Sequence, residues 1–418
     1  MRVYVLSVSS SRLKVGLADL TLPASEGGPG APEALGPDGR LTLNLTRADL
    51  PVGDDLLNGT GLNLESTLAY LDRETADWPR PDAVATLAQW EDSFMLGHWA
   101  ARPQVIRTEP EQLPLAQQNL PTGAVLGTRG LQLAIAWAQA LGVPLLTVPL
   151  PQSAELPPEA RETGIPGLRR EPRFHVLNSE MAAREGAFNV GKRFSEAAVV
   201  AAHLGSTSSV TAYQGGRVVN TTGSGLFGGP LGLRQAGMLA PATLQRLWEE
   251  AEQGQQTAHP WTEFWTGGGG LRALTGCGTV HELMTSEDSS PQVQAAAAAF
   301  VHQVACAVGQ QVGALTVRPD AIVLAGPLAR WDSVMDRLEA RLSWMAPVFV
   351  IPGDPEFEAV ARAAGRALMG WAPVSAWPPV AEDLVPEEAA GQTQAVQPAQ
   401  AAQTAQPAAE QPAPSALH

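Results

Sequence analysis

Twice in its 418 residues the chain runs an apolar strand into a short turn of small polar residues and back out along a second strand. In the first copy Val3 to Val8 reads as a strand, Ser9 to Arg12 as the turn, and Leu13 to Ala18 as the returning strand. In the second, Ala197 to Ala202 leads into Gly205 to Ser208, and Ser209 to Tyr213 returns. Gln214-Gly215-Gly216 then turns the chain again into Arg217 to Thr222. Finding the pattern twice points to an internal duplication. Turns built of small and hydroxylated residues leave backbone N–H groups uncovered, so two facing copies can hold a polyphosphate between them. The commoner use of such a turn is simply to reverse the chain.

Between and beyond these copies the pattern changes period. Helical spacing is found at Gly130 to Leu141, Glu180 to Val190, Pro291 to Val312 and Phe357 to Met369. Alternation with strands such as Ala321 to Leu324 and Val348 to Ile351 predicts an α/β chain of two layered domains. The run from Pro291 to Val312 is Ala-rich, which suits a helix packed close to its neighbours. Ala24 to Gly39, rich in Gly, Pro and Ala, reads as a long loop between strands. No Lys or Arg follows Arg366, and from about Glu382 the sequence is a repetition of Ala, Gln and Pro. Residues 382–418 are therefore expected to form a disordered tail, too poor in apolar surface to offset the entropy of ordering.

The charge balance narrows the partners. With 42 acidic against 27 basic side chains the formal net charge is -15, which argues against nucleic acid or an anionic membrane surface and favours a small-molecule ligand. Cys277 and Cys306 lack the close spacing of metal sites and read as buried, reduced thiols. The N-terminal apolar run is too short and polar for a signal peptide, and no stretch approaches the ~20 apolar residues of a membrane span. The expectation is a soluble, cytoplasmic protein.

Several segments agree in order, spacing and residue type with one family. They are Phe174-His175-Val176-Leu177-Asn178, Gly191-Lys192, Ala202-His203-Leu204-Gly205, Gly215-Gly216-Arg217-Val218-Val219-Asn220, and Arg234-Gln235-Ala236-Gly237. Trp265-Thr266-Gly267-Gly268-Gly269-Gly270-Leu271 follows, then Pro319 to Gly326, and Ala346-Pro347-Val348 leading into Pro352-Gly353-Asp354-Pro355-Glu356. The chain resembles the butyrate kinases of the acetate and butyrate kinase (acetokinase) family, densely from about Leu145 to Leu368 and thinly before. The resemblance implies an α/β fold of two related domains, shared with acetate kinases, sugar kinases and the actin ATPases, with a nucleotide cleft between them. The domains would be an N-terminal one over 1–172, a C-terminal nucleotide-binding one over 173–345, and a segment, 346–375, returning to the first. It further implies reversible transfer of phosphate between ATP, with Mg²⁺, and a short-chain carboxylate such as butyrate, giving an acyl phosphate. A dimer is the implied assembly, for which Trp261 and Trp265 are candidate interface residues and equally candidate core residues.

The same resemblance assigns roles. His175 would contact the transferred phosphoryl group, the alternative being a histidine satisfied at a domain boundary. Arg234 would clamp the transferring phosphate with a planar, multidonor cation, the alternative being a surface arginine beside a glycine turn. Glu356 would help hold Mg²⁺ as a hard carboxylate ligand, or simply sit at a helix N-terminus stabilised by the dipole. His203, Gly205, Ser206 and Thr207 match a phosphate loop, while Gly268, Gly269 and Gly326 match nucleotide-side glycines.

The chain also departs from the family. Ser206, Thr207 and Ser208 replace further glycines, adding Cβ atoms and hydroxyls. Ser7-Val8-Ser9-Ser10 stands where Asn-Pro-Gly-Ser is usual, Ala83 to Trp90 lacks the expected arginine, and Val148-Pro149-Leu150 lacks an aspartate. Arg102, Arg107 and Arg129 are candidate replacements for the arginine, and Pro327 follows Gly326 where a second glycine is usual. Two functions therefore stand side by side: a working carboxylate kinase, and a protein that keeps the fold and nucleotide binding in a regulatory or interaction role. A sugar kinase or chaperone-type ATPase fits less well, because the segments around Phe174 and from Arg217 to Gly237 look specific to carboxylate kinases.

Overall fold

The first repeat forms an antiparallel pair, β1 (Arg2–Val8) with β2 (Arg12–Thr21), Val5 lying opposite Gly16. The computed structural model describes residues 1–8, 12–21, 42–51, 64–88, 105–118, 126–149, 156–170, 173–225, 228–252, 268–353 and 356–377. The turn at Ser9 to Ser11, the loop Ala24 to Gly39, the tail 382–418 and both Trp261 and Trp265 lie outside the described residues. Along β1, Val3 and Val5 face one core cluster and Tyr4 and Leu6 another. Burial on both faces is why this strand reads as one apolar run.

β3 (Thr42–Pro51) pairs antiparallel with β2, and β4 (Ala83–Ala88) pairs parallel with β1. β6 (Leu145–Pro149) runs parallel to β4, and β5 (Val105–Thr108) antiparallel to β6. β12 (Val374–Ala376) adds parallel to β5, giving the order β12-β5-β6-β4-β1-β2-β3. Helices α1 (Leu64–Glu74), α2 (Leu113–Gln118) and α3 (Leu126–Leu141) lie on one face. Their Leu71, Leu113 and Trp137 pack around Tyr4 and Leu6, with the rings of Tyr4 and Trp137 stacked at 5.0 Å.

The second repeat generates the second sheet. β7 (Ala198–Leu204), β8 (Ser208–Gln214) and β9 (Arg217–Thr221) form an antiparallel meander. β10 (Ala321–Gly326) runs parallel to β7, and β11 (Val348–Pro352) parallel to β10. The order β11-β10-β7-β8-β9 reproduces, with the same directions, the β6-β4-β1-β2-β3 part of the first sheet. The duplication seen in the sequence is thus a duplication of topology, with β5 and β12 as the first sheet's additions. α4 (Val176–Asn189) covers one face of the second sheet, with Ala182, Ala183 and Ala187 against Val199, Ala201 and Val323. α5 (Gly270–Thr275), α6 (Val280–Ser286), the Ala-rich α7 (Pro291–Val312) and α8 (Asp332–Leu342) cover the other.

After β11 the chain returns to the first sheet through α9 (Glu356–Leu368), whose Phe357, Val360 and Ala364 pack beneath Val3, Val5 and Leu146. α4 and α9 pack on one another, and Leu177 in the first turn of α4 reaches into the first-sheet core. At this contact Arg184 Nε donates to Glu180 Oε1 at 2.8 Å. Burial would raise the Glu180 carboxyl, but the charges of Arg184 and Arg366 and the Arg184 hydrogen bond outweigh it and hold it below the ordinary glutamate value.

One expectation is corrected here. Cys277 is buried, but Cys306 is exposed. It lies one turn from exposed His302 on the outer stripe of α7, with Sγ 3.7 Å from His302 Nε2, so it is not a core thiol. Among the described residues no helix is long and apolar enough to cross a membrane.

Candidate active site

β7 ends at Leu204 and turns through Gly205, Ser206 and Thr207 into β8. Two further segments stack on this turn. Leu233 N–H donates to the Gly205 carbonyl and Arg234 N–H to the Ser206 carbonyl, both at 2.9 Å. Beneath them Leu271 N–H donates to the Gly232 carbonyl at 3.0 Å and Arg272 N–H to the Leu233 carbonyl at 2.8 Å. Close stacking demands glycine at Gly270, where φ is +79° and a Cβ would lie 2.6 Å from the Gly232 carbonyl oxygen. Gly268 and Gly269 precede it at the start of α5, Gly268 exposed and Gly269 buried.

Gln235 locks the assembly. It is fully buried, and its Oε1 accepts from Ser208 N–H at 2.9 Å and Gly225 N–H at 3.0 Å. Its Nε2 donates to the carbonyls of Gly228 at 2.8 Å and Pro230 at 3.1 Å, so the amide is satisfied at all four places. The neighbouring Arg234 is held by its backbone. Its half-buried guanidinium makes no ion pair or hydrogen bond among the described residues.

His175 stands at the N-cap position of α4, and its side chain, instead of capping the helix, reaches back over the same turn. Its Nδ1 lies 3.0 Å from Ser209 Oγ and its Nε2 3.0 Å from Thr207 Oγ1. Ser209 stands opposite His203 in the β7–β8 ladder, so both side chains share the face that α4 covers. The rings of His175 and His203 stack with centroids 4.0 Å apart. Burial pushes the His203 pKa down to about 4, so this imidazole is neutral at neutral pH. Its Nδ1 is buried and finds no hydrogen-bond partner among the described residues.

Gly326 ends β10 with φ +109°, and a Cβ there would overlap the Leu204 carbonyl oxygen. Its own carbonyl accepts from Gly353 N–H at 3.0 Å, bringing the end of β11 to the site. His175, His203, Gly205, Ser206, Thr207, Arg234, Gly268, Gly269 and Gly326 therefore belong to one continuous assembly. Glu356 starts α9 just beyond Gly353, and its side chain lies outside the described residues. So do Ser9, Ser10, Trp90, Leu150, Arg102 and the side chain of Arg129. Arg107 is engaged elsewhere, its Nε 2.6 Å from Glu109 Oε1. Gln235 and Ser209 are parts of the site that the sequence reading did not single out; the signal for Ser209 was its place opposite His203 in the second repeat.

The two-sheet arrangement is that of solved carboxylate kinases. It superposes on an acetate kinase from Porphyromonas gingivalis with a TM-score of 0.62 at 16% identity, covering 87% of this chain and 99% of that one. It also superposes on a propionate kinase from Francisella tularensis with a TM-score of 0.60 at 14% identity, covering 86% and 98%. The family model of the acetokinase family matches residues 156–344. A protein of Deinococcus radiodurans named "Probable butyrate kinase" is 42% identical over 350 residues, 83% of this chain and 88% of that one. A second of that name, from Phocaeicola vulgatus, is 33% identical over 227 residues, 54% and 63% of the two chains. The chain belongs to the acetokinase family.

Proposed function

We propose that this protein is an ATP-dependent carboxylate kinase that moves the terminal phosphoryl group reversibly between ATP and a short-chain carboxylate such as butyrate. The observation that carries this reading is the convergence, on one turn, of Arg234, the His175–Thr207 pair and the glycine segments at 268–270 and 326. A carboxylate is already anionic, so no base is needed: one of its oxygens attacks the γ-phosphorus, the bond to the β–γ bridging oxygen breaks, and ADP leaves with that electron pair. The protein's part is placement and charge neutralisation. Arg234 supplies a planar cation for two phosphoryl oxygens, and the His175–Thr207 pair supplies hydrogen-bond donors. Gly268, Gly269 and Gly326 let backbone approach the nucleotide.

Among the described residues no three His, Cys, Asp or Glu side chains converge as a metal cage. Mg²⁺ keeps several waters and is bound largely by the substrate phosphates with one or two carboxylates. Glu356 is the protein ligand we assign to it, and the ion would neutralise phosphate charge.

Hydroxamate trapping of the acyl phosphate tests the reading. With Mg·ATP and butyrate, turnover should fall by about 10²–10³-fold in Arg234→Ala, the loss typical of one transition-state donor. A second reading is favoured by one observation: β4 (Ala83–Ala88) and β6 (Leu145–Pro149), neighbours in the first sheet, contain no charged residue. In that reading calorimetry finds Mg·ATP binding but no acyl phosphate forms, and the protein is a nucleotide sensor.

A further inference from the structure

The tautomer of His175 follows from its partners. Ser209 is fully buried, and its Oγ accepts from the His175 backbone N–H at 3.4 Å. Its hydroxyl proton still needs an acceptor, and among the described residues the one within reach is His175 Nδ1 at 3.0 Å. A neutral imidazole that accepts at Nδ1 carries its proton on Nε2. That proton is directed at Thr207 Oγ1, 3.0 Å away. The Thr207 oxygen is thus an acceptor towards the interior, and its own O–H is left to donate outward. It does so from a half-buried position beside exposed Ser206, whose carbonyl holds the backbone of Arg234. His203, stacked on the other side of the His175 ring, is uncharged at neutral pH and places no cation against it.

We propose that the Thr207 hydroxyl is the group that meets a phosphate oxygen at this turn, and that His175 is a positioning residue acting through it. This deepens the phosphoryl-transfer reading and rests on it. Every proton stays on its own atom: Ser209 O–H points to Nδ1, Nε2–H to Thr207 Oγ1, and Thr207 O–H to the anion. The hydroxyl adds a short, neutral donor on the turn that also holds the Arg234 backbone, and its direction is set by the imidazole hydrogen-bonded to it.

The test uses the full-length chain, inorganic phosphate as the probe, and the near-isosteric pair Thr207→Val and Thr207→Ser. Calorimetry should show phosphate binding weakened about tenfold or more in Thr207→Val and kept within about threefold in Thr207→Ser, as loss of a hydrogen bond to a charged group requires. The ¹⁵N ring signals of His175 in the wild-type protein should be those of the Nε2–H tautomer. In the kinase assay Thr207→Val should lower kcat while leaving KM for the carboxylate unchanged, a split that a packing defect would not give. Phosphate affinity unchanged in Thr207→Val, no phosphate binding by the wild-type protein, or an Nδ1–H tautomer would each overturn the inference. Absence of acyl phosphate formation by the wild-type protein would instead sink the kinase reading, with the phosphate series still deciding the role of Thr207.

Discussion

Gln235 and His203 are both buried at the site, Gln235 completely and His203 nearly so. Gln235 ties Ser208 to the segment from Gly225 to Pro230 through four hydrogen bonds. Gln235→Ala should cost about 2–4 kcal/mol in urea unfolding, because it leaves buried backbone groups unpaired. Gln235→Glu should fare no better, since a carboxylate there faces two carbonyls with no N–H to offer them. Local spacing could not announce this residue: it stood in plain view in the stretch Arg234 to Gly237, but its partner Ser208 is 27 positions away. His203 makes a pH prediction. Its folded pKa of about 4 lies below the ordinary 6.5, so the unfolded chain takes up the proton more readily. Its contribution is fully present above about pH 6.5 and is lost as the pH falls towards 4, by roughly 3 kcal/mol at most. In His203→Gln the urea midpoint should fall less steeply over that range; an unchanged slope would show that His203 is not the titrating group.

Among the elements, the four longest helices and the parallel strands of the second sheet were legible, whereas β4 and β6 of the first sheet and the short pieces were not. The periodicity from Pro291 to Val312 gives α7 with its bounds, because a serine cap and a proline at its start coincide with the apolar stripe. α4 was read from Glu180, yet it begins at Val176. Its first turn contains Asn178 and Ser179, weak helix formers, and it is drawn into the helix by Leu177 packing into the first-sheet core. β5 and α2, of four and six residues, are too short for a period to register. Where α4 meets α9, the Glu180 carboxyl is held below its ordinary 4.5. Its stabilisation is therefore complete above about pH 4.5 and lost as the pH drops through the lower folded value. Glu180→Gln should be less stable than the wild-type protein at neutral pH and nearly equal to it in acid, as read from urea midpoints across pH.

At the scale of the molecule, the repeat in the sequence foretold two sheets of one topology, whereas the closing of the first sheet by β12 could not be foreseen. That strand is three residues long and owes its place to Val105 beside it and to Trp377, whose N–H donates to the Arg107 carbonyl at 3.0 Å. Trp377 is 5% exposed, within the cluster around Tyr4 and Trp137. A chain stopped before Val374 should lose several degrees of thermal midpoint, since removing a buried tryptophan alone costs about 3–5 kcal/mol. The chain passes between its sheets twice, once into α4 and once into α9, and the two helices lie against each other. Two connections whose helices pack together restrain rotation of one sheet against the other more than a single linker would, so the packed pair works as a splint that keeps the two sheets in one alignment.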